Sequence, residues 1–168
     1  MDIKIKQADI TNQTTDAIVN AANSSLMGGG GVDGAIHSAA GSNLKEECKR
    51  IREREYPDGL PVGEAVITDG YNLEADYVIH TVGPRYSEDE DRDRKLRNAF
   101  KNSLKLAEEN ELSSISFPAV SAGAYGYPTE RVAEIAKKVT TDFQPKRLEK
   151  IIFCLFSKDD FEVWDKLF

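Results

Sequence analysis

Hydrophobic positions along the chain switch repeatedly between a period of two and a period near 3.6, which predicts strands alternating with helices. Ile3 and Ile5, running on to Gln7 and Ala8, suggest a first strand. Ala17 to Asn20 is a short apolar run ending in a polar residue, the pattern of a buried strand feeding a loop. Gly28 to Gly31 reads as a loop, Val32 to Ala40 as a short helix and Leu44 to Arg54 as a longer one. Tyr56 to Gly63 holds two prolines and two glycines and is a connection. Glu64 to Thr68 and Tyr77 to Val82 are strands, parted by a Gly-Tyr-Asn turn. A helical stripe follows at Leu96, Phe100, Leu104 and Ala107, within Arg92 to Asn110. Ile115 to Val120 is a strand and Ser121 to Tyr127 a loop. Pro128 opens a helix carrying Val132, Ile135, Ala136 and Val139. Lys150 to Phe156 is a continuous apolar strand, and Asp159 to Phe168 a closing helix. Strands alternating with helices imply an α/β protein, a three-layer α/β/α sandwich whose sheet is covered on both faces.

With 168 residues, 40% of them hydrophobic, the chain fits one domain with one sizeable core. Its net charge of −7 argues against a general nucleic-acid binder. An anionic ligand would have to be held by local dipoles and backbone N–H groups, since the overall field does not attract it. The acidic stretch Ser87 to Asp93 reads as a solvated loop. Cys48 and Cys154 form no C-x-x-C pair and the two histidines are far apart in sequence, so no metal site is expected. Two cysteines, no signal-peptide pattern and no apolar run near the roughly 18 residues of a spanning helix point to a cytoplasmic protein with no membrane part.

Three segments that follow strands carry the candidate chemistry, and ligands of open α/β sheets sit outside the carboxyl ends of strands. Asn20-Ala-Ala-Asn23 and the glycines up to Gly34 form the first. Asparagine amides suit the hydroxyls of a ribose, although Asn is also a common turn former. The glycines allow close backbone approach, and a helix starting near Val32 offers free N–H groups to an anion. Ser121-Ala-Gly-Ala-Tyr-Gly-Tyr127 is a second small-residue loop before a helix, and Tyr125 could cover a ligand there. Two such loops at one crevice suit a diphosphate. Phe156, after the last strand, is either a core aromatic or a platform for a base. Asp33 and His37 share one helical face, so Asp33 can orient a hydroxyl or a water; His37 and His80 also have plain packing readings.

Gly29-Gly-Gly31-Val-Asp-Gly34 formally matches the dinucleotide fingerprint G-x-G-x-x-G. Asn23 to Met27 separate these glycines from the strand, and Asp33 places a carboxylate where the pyrophosphate would lie. Glu53 and Glu55, about the expected distance on, fall in or just after a helix rather than at a strand end.

A-D-I-T at Ala8 to Thr11, A-I-V-N-A-A-N at Ala17 to Asn23, G-G-G-G-V-D-G-A-I-H at Gly28 to His37, I-H-T-V-G-P at Ile79 to Pro84 and S-A-G-A-Y-G-Y-P at Ser121 to Pro128 together resemble a macrodomain, the ADP-ribose-binding module. The likeness spans nearly the whole chain. It is to the MacroD-type branch, which removes ADP-ribose from acidic side chains and deacetylates O-acetyl-ADP-ribose. It implies a mixed sheet between helices. It implies further that Asp9 and Ile10 contact adenine and that Phe156 stacks on it. Gly30, Gly31 and Val32, with Ser121, Ala122, Gly123, Ala124 and Tyr125, would hold the diphosphate. Asn20, Asn23 and Asp33 would surround the distal ribose as the catalytic group. No cofactor is implied, and the expected partners are ADP-ribose, O-acetyl-ADP-ribose and ADP-ribosylated proteins, met by a monomer. The chain departs from the family pattern at Ala8, Ala122 and Ala124, where Gly, Thr and Val are usual. A reader module that binds ADP-ribose without hydrolysis is the alternative, and a binder of RNA or poly(ADP-ribose) a third reading that the negative charge opposes.

Overall fold

The computed structural model describes residues 1–87 and 90–168. Its strands are β1 (Asp2–Gln7), β2 (Ala17–Ala22), β3 (Ala65–Asp69), β4 (Tyr77–Val82), β5 (Ser114–Phe117) and β6 (Lys150–Leu155). Its helices are α1 (Gly31–Ala40), α2 (Ser42–Arg54), α3 (Arg92–Glu109), α4 (Thr129–Asp142) and α5 (Lys158–Leu167), with a 3-10 turn at Ile10–Asn12. The strands form one sheet in the order β1-β6-β5-β2-β4-β3. Every pairing is parallel except that of β3 with β4. The sheet is therefore mixed, with helices on both faces.

The alternation of side chains along each strand sorts the core into two layers. Ala17 and Val19 of β2, Ile79 of β4 and Phe153 of β6 pack with α3, α4 and α5 around Phe100, Phe117 and Trp164. Ile18 of β2, Val78 of β4 and Ile152 of β6 face the other way, against Ile36 of α1 and Leu44 and Cys48 of α2. Asn20 and His80 point to this second side as well. They are direct partners in the β2–β4 register, so two polar residues stand together inside a largely apolar layer.

Two strand ends differ from the sequence expectation by more than one residue. β2 runs two residues past Asn20, because Ala21 and Ala22 continue the ladder with Thr81 and Val82. β5 stops at Phe117, since Pro118 cannot donate to a ladder. Within the acidic stretch, Glu88 and Asp89 lie outside the described residues, and Arg92 and Asp93 already belong to α3. Because five strands are parallel, their carboxyl ends open at one edge of the sheet. Asp9, Asn23, Gly83, the loop from Val120 and Phe156 all emerge there.

Candidate functional site

At one end of this edge, β1 and β6 lie side by side and the Ala8 N–H donates to the Leu155 carbonyl. Asp9 and Phe156 therefore leave the sheet together. Asp9 caps the 3-10 turn, its Oδ1 accepting from the Thr11 N–H at 2.9 Å and the Thr11 hydroxyl at 2.7 Å. Ile10 is buried beneath it, whereas Phe156 is 82% exposed. That exposure removes the core reading of Phe156, since a large ring left in water contributes little to folding.

The glycine loop is built from Asn23. Its Oδ1 accepts from the Ser25 N–H at 3.0 Å, and its Nδ2 donates to the Gly28 carbonyl at 3.1 Å. Arg52 of α2 ties the same stretch down by donating to the Ser25 carbonyl at 2.7 Å. Gly30 then caps α1 with no side chain to satisfy the first N–H groups of the helix. A Cβ on Gly30 or on Gly31 would meet open space, so this backbone is accessible to a ligand. Gly31 also has φ +55°, in the left-handed region.

The second loop follows β5, the neighbour of β2 in the sheet. Ser121 has φ +67°, and the Tyr127 N–H closes the loop onto the Ser121 carbonyl at 3.0 Å. Gly83 at the end of β4 packs so tightly against it that a Cβ would stand 2.7 Å from Val120 Cγ1 and closer still to the Ser121 hydroxyl. A Cβ on Gly123 would meet open space, Ala122 and Tyr125 are half-buried and Ala124 is exposed. The Arg85 guanidinium lies 4.9 Å from the Tyr125 ring centre. Behind the loop, the Tyr127 hydroxyl donates to Asp93, which also pairs with Arg131 at 2.7 Å, fixing α3 to α4.

Asp33 sits in the first turn of α1, 5% exposed. Its Oδ1 accepts from Asn20 Nδ2 at 2.8 Å and lies 3.4 Å from His37 Nε2, one helical turn on. Its Oδ2 faces the glycine loop, where a Cβ on Gly29 would stand 3.2 Å away. The helix N-terminus favours a carboxylate at this place. Asn20, by contrast, is wholly buried behind Asp33. The structure thus sets Asn23, Asp33, Gly30, Gly31 and Val32 after β2 and the Ser121–Tyr125 loop after its neighbour β5, at the same edge of the sheet, with Asn20 one layer deeper.

The sequence reading missed what supports Asn20. Its Nδ2 lies 3.1 Å from His80 Nδ1, and His80 Nε2 lies 3.0 Å from the Thr68 hydroxyl. Cys48 Sγ approaches the same nitrogen at 3.8 Å. His37, Cys48 and His80 place their donor atoms within 4.8 Å of one another, so the two histidines, distant in sequence, are neighbours in space. Burial, helped by Glu47 and Asp33, pushes the Cys48 thiol up to about 12, and His80 is engaged with Thr68 and Asn20.

Burial pushes His80 down to about 3, with a smaller contribution from nearby His37. Burial also lowers His37, against the opposing pull of Asp33. A histidine that titrates lower when folded takes up a proton on unfolding, so its stabilisation is complete above its unfolded value and is lost as the pH falls below it. Between about pH 6 and about pH 4, His80 should cost about 1.4 kcal/mol of stability per pH unit. Urea titrations across that window, compared with His80→Asn, check this. An identical slope in the variant contradicts it.

The model of the Macro domain matches residues 19–136. This chain belongs to the macrodomain family. It is 49% identical to a macro domain-containing protein of Caldanaerobacter subterraneus subsp. tengcongensis, covering 99% of this chain and 95% of that protein. It is 48% identical to the O-acetyl-ADP-ribose deacetylase of Escherichia fergusonii, covering 98% and 94%. Among solved structures, the Oceanobacillus iheyensis macrodomain with ADP superposes with a TM-score of 0.94 at 43% identity, covering 97% of this chain and 87% of that one. The Trypanosoma brucei macrodomain in complex with ADP-ribose gives 0.89 at 40% identity, over 98% and 68%. The mixed sheet of this macrodomain matches the fold its motifs implied. Among the described residues, no helix is long and apolar enough to cross a membrane.

Proposed function

We propose that the chain acts as one domain that binds ADP-ribose and hydrolyses esters at its distal ribose, on O-acetyl-ADP-ribose and on acidic side chains of mono-ADP-ribosylated proteins. Adenine stacks on Phe156 and donates its amino group to Asp9. The diphosphate lies between the N–H groups at Gly30, Gly31 and Val32 and those of the Ser121–Tyr125 loop. Asn23 and Asp33 face the distal ribose, with Asn20 behind them. Water adds across the ester, returning the acid and a free ribose hydroxyl. Asp33 orients or deprotonates that water, and the cradled diphosphate contributes by holding the ribose in place.

The observation that carries this reading is Asp33: a buried carboxylate, fixed by an amide donor and turned toward the glycine loop. Turnover of O-acetyl-ADP-ribose, measured beside calorimetric binding of ADP-ribose, tests it. Binding without acetate release would make the protein a reader instead. Both cysteines are buried free thiols, which suits a reducing, cytoplasmic setting. Met1, Tyr71 and Phe156 are the exposed large hydrophobics among the described residues, a scatter that supports a monomer.

Phe156→Ala is expected to weaken ADP-ribose binding about 10-fold, within the usual worth of one base stacked on an aromatic ring. Because the ring is exposed, stability should change by less than about 0.5 kcal/mol. Calorimetry and a melting curve on the same preparation check both. Unchanged affinity would remove Phe156 from the site.

A further inference from the structure

We propose that His80 is a positioning residue for Asp33, acting through the side-chain amide of Asn20; the inference rests on the reading of Asp33 as the group that handles water. The geometry admits one consistent order of protons. Thr68 donates its hydroxyl hydrogen to the Asp69 carbonyl at 3.1 Å. Its oxygen is then left to accept, and the partner at 3.0 Å is His80 Nε2, which must carry the ring proton. A neutral histidine protonated at Nε2 has a bare Nδ1. That nitrogen lies 3.1 Å from Asn20 Nδ2, so it accepts one of the two amide hydrogens. The other goes to Asp33 Oδ1 at 2.8 Å.

The two ends of this chain enforce each other. Turning the Asn20 amide over would set its oxygen against the Asp33 carboxylate and the bare nitrogen of His80, and neither can donate. Asn20 Oδ1 has no hydrogen-bond partner among the described residues, so the hydrogen bonds of this amide in the row are those of its nitrogen. Thr68, Asn20 and His80 are each no more than 2% exposed, so water does not compete with these bonds. Burial keeps His80 neutral, as this order requires. Asn20 and His80 are register partners on adjacent strands and Thr68 is on the next strand, so the rigid sheet itself holds the row. In this row His80 is bonded to Asn20 and Thr68 and not to Asp33. Its effect is to keep an N–H aimed at the carboxylate.

Two measurements decide the matter. In a long-range nitrogen–proton correlation spectrum of the ¹⁵N-labelled wild-type protein, His80 should show a protonated Nε2 and an unprotonated Nδ1 at neutral pH. The opposite tautomer, or a charged ring, overturns the proposal, whatever the protein's activity. His80→Leu, which keeps bulk and loses the acceptor, frees the Asn20 amide to turn and should lower kcat on O-acetyl-ADP-ribose by about 10- to 100-fold, the usual worth of the hydrogen bond that Asn20 then ceases to give the Asp33 carboxylate. KM and the ADP-ribose Kd should stay within about threefold. His80→Asn, which returns an acceptor near the Nδ1 position, should recover most of the lost kcat. Full kcat in His80→Leu, a loss carried in KM, or equal losses in both variants overturns the proposal. Should His80→Leu fail to fold, the wild-type spectrum and the kcat of His80→Asn decide alone. A wild-type protein that turns over no ester fails the hydrolase reading instead, and the spectrum still settles the proton order.

Discussion

Asp33→Ala is expected to lower kcat on ester-linked ADP-ribose by at least about 100-fold, the low end of what a placed acid–base group contributes. ADP-ribose should still bind within about threefold of wild type, since the proposed contacts to the diphosphate and the base are made by backbone N–H groups, Phe156 and Asp9 and not by Asp33. The split follows from where the carboxylate lies. Asp33 is 5% exposed, with one oxygen engaged by Asn20 and the other turned toward the glycine loop. It is therefore fixed before any ligand arrives. Asp33→Asn keeps the volume and removes the charge, so it should be as inactive as Asp33→Ala while melting closer to wild type. Undiminished hydrolysis by either variant would remove Asp33 from the chemistry.

Gly34→Ala should have the largest effect on binding. A Cβ at this position would stand 2.5 Å from the Gly29 carbonyl oxygen, a backbone atom that no rotamer change can move aside. The Gly34 N–H also closes the first turn of α1 onto the Gly30 carbonyl. One added methyl must therefore shift the stretch whose N–H groups are proposed to hold the diphosphate. Loss of a single hydrogen bond to a charged group costs about 1.5–3 kcal/mol, so affinity for ADP-ribose should fall by about 10- to 100-fold. Calorimetry reads the affinity, and the near-UV spectrum of Trp164, buried on the far face of the sheet, reports whether the rest of the fold is retained. Wild-type affinity in this variant would mean that the glycine loop does not hold the ligand.

The layer order was legible because the strands advertise it. I-I-F-C-L-F at Ile151 to Phe156 is apolar on both faces, as a parallel strand covered by two helical layers must be. Phe156, the last residue of that run, was ambiguous, since burial of one side chain depends on where the helix after it turns. The glycine and asparagine loops were visible from their place after strands, but the depth of Asn20 was not. Ala21 and Ala22 are too small to tell a strand from a loop, and it is the pairing with β4 that carries the strand on. The row from Thr68 to Asn20 was hidden for a different reason. Its members come from three strands, and only the register sets Asn20 opposite His80. The same long-range pairing brings His80 beside His37, with ring centres 6.2 Å apart, against the expectation from their spacing in sequence.

The central claim, that this macrodomain is a hydrolase and not only a reader, is tested most directly on a protein carrying mono-ADP-ribose on a glutamate. The acceptor is mixed with wild-type protein and, in parallel, with Asp33→Ala, and the free ADP-ribose released is quantified. The account predicts multiple turnovers with wild type and a rate at least about 100-fold lower with the variant. An acceptor that is bound by both proteins and keeps its ADP-ribose with both would contradict it.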